Sequence, residues 1–534
     1  MYSAHAKAPP AITIAAAPTQ LGHANNDAPT ATSDITAAST SRKNRMPSKL
    51  LRFRGMYQHV PLHELALSQG LPDAPALTDL STGTTVTYRE LRTLANNVSR
   101  VLAHATTSPS PVIAVQLPNS VEFAAVILGI AQAGAASSLI GPLLRNHEAR
   151  HLAELAGADP QLGLIRMEQA QALIRGTTPA GWPRRDAANH TPAVSAANAQ
   201  ELAFVPYSSG TTGMQKAVGL TGASVSANMT QFAAAIARSG VGTHTPTMSP
   251  LPFSHIYGLT ALLLTPLMLG HHVLTMQRFD PERFVSAHRD FAVQLTFIAP
   301  PLARVLETAP ADAFNALELI ISGADRLDPT VARTVESRLG ASVIQGYGMT
   351  ETSPVTFVGV RGETPPDSVG FPLPDTRFRI GSDGELSVAG PQLMRGYLGQ
   401  EPIGEWFQTG DLARVGTHGE LYIIGRAKDT IKYKGYQIAP AELEATLLEH
   451  EAIVDAAVTP FVLNGTEVPR AFVVHAPSPA ATSARLTADG VMRFVADRVA
   501  PYKKVRVVDF VEEIPRSAAG KILRTQLRDL PHAD

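Results

Sequence analysis

The run Tyr207-Ser208-Ser209-Gly210-Thr211-Thr212-Gly213-Met214-Gln215-Lys216 places four hydroxyl side chains and two glycines in six consecutive positions, with one lysine three residues on. Glycines let successive backbone N–H groups converge on one point. The Ser and Thr hydroxyls add donors, and Lys216 adds a mobile positive charge. That chemistry suits a polyphosphate. Ser/Thr/Gly clusters also form plain surface loops, which is the alternative reading. The apolar run Leu202 to Val205 just before it reads as a buried strand, so the loop hangs from a rigid element. A P-loop is disfavoured, because Gln215 precedes Lys216 and Ala217 follows it, leaving no hydroxyl there for magnesium.

Further clusters carry chemistry of a matching kind. In Gln345-Gly346-Tyr347-Gly348-Met349-Thr350-Glu351-Thr352, an aromatic between glycines can present its face to a planar base. Thr350 and Glu351 suit a phosphate oxygen and a magnesium ion. In Trp406-Phe407-Gln408-Thr409-Gly410-Asp411, a carboxylate follows a tight turn and can accept from ribose hydroxyls. Two basic segments follow: Gly425 to Gly435, and Ile514-Pro515-Arg516-Ser517-Ala518-Ala519-Gly520-Lys521. Each of these, taken alone, also reads as an ordinary turn or a solvated basic face.

At 534 residues the chain exceeds what one compact core supports. A hydrophobic share of 44% and a charged share of 17% fit a globular soluble protein, and a net charge of −1 gives no electrostatic case for nucleic acid. The absence of cysteine excludes disulfides, thiolate metal sites and a cysteine nucleophile, and is compatible with a cytoplasmic enzyme. Two uncharged stretches, Phe123 to Leu144 and Leu251 to Met276, are long enough to suggest membrane spans. Their glycines, prolines, histidines and Ser-Ser pair make them helix-then-strand segments of an α/β core instead. No secretory signal is expected. His271 and His272 are expected to be structural, since no carboxylate or third ligand sits at metal-site spacing.

Residues 1–45, rich in Ala, Thr, Ser and Pro, are expected to be a disordered tail, with Met46 an alternative translation start. Helical stretches such as Tyr88 to His104 and His147 to Leu155 then alternate with apolar runs such as Pro111 to Leu117. This rhythm predicts βαβ units and a mostly parallel sheet. Beyond Gly381 the texture changes to short strands with turn signals, ending in a small α+β unit with its boundary near Arg426. The expected fold is therefore α/β. A large N-terminal domain (46–425) would hold parallel-rich sheets with flanking helices, and a small mobile α+β domain (426–534) would follow.

Taken in order, these motifs resemble the adenylate-forming family of acyl-CoA synthetases, carrier-protein adenylation domains and luciferases, over about Val60 to Leu530. Tyr433-Lys434-Gly435-Tyr436-Gln437-Ile438-Ala439-Pro440 and Pro252-Phe253-Ser254-His255-Ile256-Tyr257-Gly258 look most like 4-coumarate or cinnamate CoA ligases. The resemblance implies ATP, Mg2+ and coenzyme A as cofactors and a small carboxylic acid as substrate. Ser208, Ser209, Gly210, Thr211, Thr212, Gly213 and Lys216 would wrap the β- and γ-phosphates. Tyr347, within Gln345 to Gly348, would stack on adenine, with Gly323 and Ala324 lining the other side. Thr350 would bind the α-phosphate, Glu351 would hold magnesium, and Asp411 and Arg426 would take the ribose. Lys521 would neutralise charge as the carboxylate attacks phosphorus.

For the second half-reaction, the resemblance implies that the small domain swings about Lys428 and brings up the face of Lys432, Lys434, Gly435 and Gln437. Gly435 would leave room for the pantetheine arm. His255, Tyr257 and Gly258 would line the acyl pocket. Gln215, Ala217, Gly222 and Asp325-Arg326 depart from the family pattern without removing a catalytic group. Loading of a carrier protein instead of free CoA, and a non-catalytic nucleotide-binding relative, remain as alternatives.

Overall fold

A computed structural model of the chain describes residues 12–15, 60–106, 111–183, 201–209, 215–433, 436–463, 465–476, 486–516 and 522–532. The chain forms two compact units. The larger comprises Ile14–Phe378 and Val388–Phe407; the smaller comprises Met1–Thr13, Arg379–Ser387 and Gln408–Asp534. Among the described residues, no helix is long and apolar enough to cross a membrane.

Two large sheets organise the larger unit. One runs in the order Phe371–Pro372, Val355–Val358, Ser342–Gly348, Leu319–Ser322, Leu295–Ile298, Pro246–Met248, His272–Thr275, Pro75–Asp79, Thr84–Thr87. Its central pairs are parallel and both margins are antiparallel. Leu295–Ile298 and Leu319–Ser322 are buried at every position, as strands covered on both faces must be. The other sheet runs Gly396–Tyr397, Gln215–Thr221, Leu202–Val205, Ala136–Leu139, Val112–Val115, Leu164–Ile165, with Tyr207–Ser209 paired onto Gln215–Thr221. The alternation expected from sequence is thus realised.

Both uncharged stretches fold as helix then strand. Val121–Gln132, capped by the Ser120 hydroxyl on Phe123 N–H, leads to Ala136–Leu139. The second begins as a wide π-helix, Tyr257–Leu264, in which Thr265 N–H reaches back five residues to Thr260 O. It continues as Thr265–Met268 and then His272–Thr275. The sequence signalled a helix here but not its widened winding, which is rare and concentrates at functional sites. The loop leading into it is held by one buried side chain. Asn119 donates to Leu251 O and Thr275 Oγ1 and accepts from Phe253 N–H.

In the smaller unit, Ile453–Leu463 and Thr466–His475 form an antiparallel hairpin, and Val507–Phe510 adds in parallel beside the latter. Helices Pro440–Leu448 and Ala488–Ala496 bury Leu443, Leu447, Val491 and Val495 with this sheet in one apolar cluster. Arg470, 2% exposed, meets Asp509 at 2.6 Å and donates to Leu530 O and Pro531 O, which holds the C-terminal segment in place. A five-stranded sheet runs Ile12–Ala15, Arg377–Ile380, Glu385–Ala389, Phe407–Val415, Leu421–Arg426. The tail expected over residues 1–45 lies outside the described residues except for Ile12–Ala15. That run has three consecutive β-branched residues and forms a strand at the edge of this sheet.

Candidate active site

The described flanks of the hydroxyl-rich run, Tyr207–Ser209 and Gln215–Thr221, pair antiparallel in the larger unit. They are in register, Tyr207 opposite Ala217, Ser208 opposite Lys216 and Ser209 opposite Gln215. Directly paired residues share a face, and so do residues two apart on one strand. Lys216 and Val218 therefore point the same way, and Val218 is paired with Tyr397 of the strand Gly396–Tyr397. Ser208, Lys216 and Tyr397 are gathered by this register. The Lys216 ammonium lies 4.6 Å from the centre of the Tyr397 ring. Ser208 Oγ is buried beside the Tyr397 hydroxyl, which it approaches as a hydrogen-bonding neighbour. Tyr207 is a strut, its hydroxyl 2.5 Å from both Ser138 Oγ and Leu152 O, and burial pushes the phenol up to about 12.

Glu351 joins this group from the short turn Thr350–Thr352. It is 6% exposed, and its Oε1 accepts the Tyr397 hydroxyl proton at 2.9 Å. Its backbone carbonyl accepts from Met394 N–H. Burial first, and then the Glu351 carboxylate, drive the Tyr397 phenol upward, so it stays a proton donor throughout the physiological range. Thr350 is also buried, in the same turn. Tyr397 is the site residue that the sequence reading missed. Its one signal was a glycine-aromatic pair, Gly396-Tyr397, like the Gly346-Tyr347 that did attract attention.

Tyr347 is half-buried on the strand Ser342–Gly348, paired with Phe357 and 6.1 Å from it between ring centres. Gly348 is required beside it, because a Cβ there would fall 1.9 Å from Pro354 O. Gly346 has room for a side chain. The Gln345 amide is bonded to backbone: it accepts from Leu327 N–H and donates to Leu327 O and Pro366 O. Ala324 is exposed in a left-handed conformation (φ 73°). The neighbouring Asp325 turns its carboxylate onto the Arg326 N–H.

The remaining pocket candidates lie at the head of the π-helix. Tyr257 packs against Gly323 so closely that a Cβ on Gly323 would sit 2.7 Å from its ring and hydroxyl. The Tyr257 hydroxyl is buried with no partner, and burial drives its pKa upward. Gly258 is required by the turn, since a Cβ would lie 2.0 Å from Pro252 O. His255 is exposed, with Nδ1 accepting from Tyr257 N–H at 3.3 Å. His271 and His272 both bond neighbouring protein groups. His271 is bonded to Thr247 Oγ1 and Gly242 O, and His272 to Thr78 Oγ1.

The smaller unit brings together Asp411, Arg426 and Lys428. Asp411 and Arg426 are paired across antiparallel strands with 2.9 Å between charged atoms, the Asp411 side chain only 5% exposed. Lys428 sits in the turn Ala427–Asp429. Its pKa is lowered chiefly by burial, with Asp429 opposing and Arg426 adding to the shift. Lys432 is exposed on a strand in register with Gln437. Gly210, Thr211, Thr212, Gly213, Lys434, Gly435 and Lys521 lie outside the described residues, as do the side chains of Ser209 and Gln437. The segment 517–521 is bounded by two anchored arginines, Arg516 on Asp455 at 2.9 Å and Arg524 on Glu444 at 2.6 Å.

A buried hydroxyl beside a phenol, an ammonium parked on the ring of that phenol and a carboxylate with one oxygen engaged form a set that fits a magnesium polyphosphate. Among the described residues no cluster of three metal-ligating side chains exists.

The family model of AMP-binding enzymes matches residues 66–398, and that of the AMP-binding enzyme C-terminal domain matches residues 442–521. The chain belongs to this family of acid–thiol ligases. It is 31% identical over 529 residues to 4-coumarate–CoA ligase 2 of Oryza sativa subsp. japonica, covering 88% of this chain and 92% of the relative. It is 30% identical over 575 residues to 4-coumarate-CoA ligase 2 of Narcissus pseudonarcissus, covering 97% and 98%. Among solved structures, ATP-bound MatB from Rhodopseudomonas palustris superposes with TM-score 0.75 at 22% identity over 88% of this chain and 98% of that one. The o-succinylbenzoate CoA synthetase of Bacillus subtilis, in complex with its acyl-adenylate, superposes with TM-score 0.74 at 23% identity over 89% and 99%. These two show a shared fold.

Proposed function

We propose that this chain joins a carboxylic acid to coenzyme A in two steps. The carboxylate oxygen attacks the α-phosphorus of ATP, the bond to the bridging oxygen breaks, and pyrophosphate leaves with the electron pair. The CoA sulfur then attacks the acyl carbon, AMP leaves, and the thiol proton passes to solvent. The observation that supports this best is the convergence of Ser208, Lys216 and Glu351 around Tyr397, a hydroxyl, a cation and an anion suited to the leaving group. Bound Mg2+ would screen phosphate charge, with Glu351 as its protein ligand.

In this reading, Thr350 meets the α-phosphate, Tyr347 the adenine, and Asp411 with Arg426 the ribose. Lys521 faces the reacting carboxylate in the first step. Lys432, Lys434, Gly435 and Gln437 face the thiol in the second, after rotation about Lys428. The acid is an aryl propenoate in preference to a medium-chain acid. Tyr257 offers a flat apolar ring with an unpartnered hydroxyl beside Gly323, which suits a planar ring carrying a polar substituent. The 4-coumarate–CoA ligase names of the relatives point the same way.

The test is acid-dependent exchange of labelled pyrophosphate into ATP, run on hydroxycinnamic, benzoic and medium-chain acids. Thioester formation with free CoA and with a holo carrier protein is measured alongside. Exchange with cinnamic acids and transfer to free CoA is the expected result. No exchange with any acid would overturn the reading.

A further inference from the structure

Glu351 and Lys216 carry opposite charges within one small, partly buried site, yet among the described residues they form no ion pair with each other. Tyr397 engages both: its hydroxyl donates to Glu351 Oε1 at 2.9 Å, and its ring face receives the Lys216 ammonium at 4.6 Å. Two backbone constraints fix it there. Gly396 and Tyr397 pair with Gly219 and Val218 on the strand that leaves the phosphate hairpin, and Leu398 N–H bonds Ala217 O. From the other side, Met394 N–H bonds the carbonyl of Glu351 itself. One short segment, 394–398, therefore ties the turn carrying the acid to the hairpin carrying the base.

Direct pairing would neutralise acid and base against one another, and each would have to be released before taking metal or phosphate. A phenol hydrogen bond uses one carboxylate oxygen and leaves lone pairs on the other. A ring face holds an ammonium without cancelling its charge. We infer that Tyr397 is a positioning residue of the phosphate site, holding Glu351 oriented for a divalent cation and Lys216 apart from it and free to move onto phosphate. This rests on the reading of Ser208, Lys216 and Glu351 as a magnesium–nucleotide site.

The experiment is calorimetric titration of ATP into the full chain, with and without Mg2+, for the wild type and for Tyr397→Phe, Tyr397→Leu and Glu351→Gln. Thermal melts establish that each variant is folded. Loss of an outer-shell partner typically weakens metal binding by about tenfold or more. Tyr397→Phe keeps the ring and loses only the hydroxyl. It is expected to raise the Mg2+ concentration for half-maximal enhancement of ATP binding about tenfold, while metal-free ATP binding changes little. Tyr397→Leu, which also removes the seat of Lys216, is expected to weaken metal-free binding as well.

If Glu351→Gln shifts the Mg2+ dependence and neither Tyr397 variant does, the inference falls and the nucleotide-site reading stands. It also falls if Tyr397→Phe weakens ATP equally with and without metal, since the hydroxyl would then not act through the acid. If the wild type binds no ATP in the presence of Mg2+, the nucleotide-site reading itself fails.

Discussion

Tyr257 and Gly323 are in contact across a gap that admits no side chain: a Cβ on Gly323 would lie 2.7 Å from both Cζ and the hydroxyl oxygen of Tyr257. The glycine is needed for space and not for its backbone. Tyr257 starts the π-helix and Gly323 follows a fully buried strand, so neither backbone can retreat cheaply. Gly323→Ala is therefore expected to push the tyrosine ring off its seat. Overpacking of this kind costs about 1–3 kcal/mol. The predicted outcome is a rise in KM for the acid substrate of roughly tenfold; steady-state kinetics check it.

Tyr257→Phe makes the complementary prediction. A buried hydroxyl with no partner carries a desolvation cost of about 1–3 kcal/mol, which its removal relieves. The variant is expected to melt at or above the wild-type temperature. It should also lose preference for ring-hydroxylated acids over unsubstituted ones. A fall in Tm would show that the hydroxyl is satisfied in solution.

How far the sequence disclosed this arrangement depends on the range over which each signal acts. Local patterns carried the strand Leu202–Val205 and the capped helix Tyr88–Ala105, whose Thr87–Glu90 capping box is readable directly. Ser208 and Lys216 were legible because they lie in one hairpin. Tyr397 was not, because nothing within its own segment indicates that it pairs with Val218, or that Glu351 accepts its proton. Gln345 shows the reverse case. The resemblance implies a place for it in the adenine segment, and its amide also bonds the backbone of Leu327 and Pro366, a demand visible only after folding. The π-helix was hidden for another reason. Apolar periodicity marks a helix without distinguishing its winding when all its faces are buried.

The Asp411–Arg426 pair predicts asymmetric mutational costs. Asp411 is nearly inaccessible, while Arg426 keeps 29% of its side chain exposed. Arg426→Ala removes one charged partner of a buried carboxylate and is expected to cost about 2–3 kcal/mol, less than the roughly 3–5 kcal/mol of a fully buried pair because Arg426 is partly solvated. The double variant Asp411→Asn with Arg426→Ala should be more stable than Arg426→Ala alone. Denaturant titrations of the four proteins give the coupling energy, and additive losses would contradict the argument.

Lysines in two different segments of the smaller unit should separate the half-reactions. Lys521→Ala is expected to abolish acid-dependent pyrophosphate exchange while leaving thioester formation from a preformed acyl-adenylate largely intact. Lys432→Ala should show the opposite pattern, with exchange retained and thioester formation slowed. Because Lys432 is exposed, its removal carries little cost in stability, and melting temperature should not move. Loss of only the first step in both variants would contradict the assignment of Lys432 to thiol transfer.

Buried histidines make the larger unit less stable in acid. His271, His272 and His288 each have a pKa lowered to about 4, with burial the dominant cause. His288 is clasped between Phe284 O and Thr296 Oγ1. Since a carbonyl only accepts, its proton lies on Nδ1, and the neutral ring satisfies both neighbours. In the unfolded chain these rings titrate near 6.5, so between about pH 6.5 and 4 the unfolded state binds more protons. Stability is therefore fully present above pH 6.5, declines as pH falls through that window, and loses nothing further from these groups below 4. A shift of this size corresponds to about 3 kcal/mol per fully buried histidine, and less for His272, which is the least buried of the three. Thermal melts between pH 7.5 and 4 should show the decline. His288→Gln should flatten it while lowering Tm at neutral pH, where the clasp is intact. A decline as steep in that variant as in the wild type would rule His288 out as a contributor.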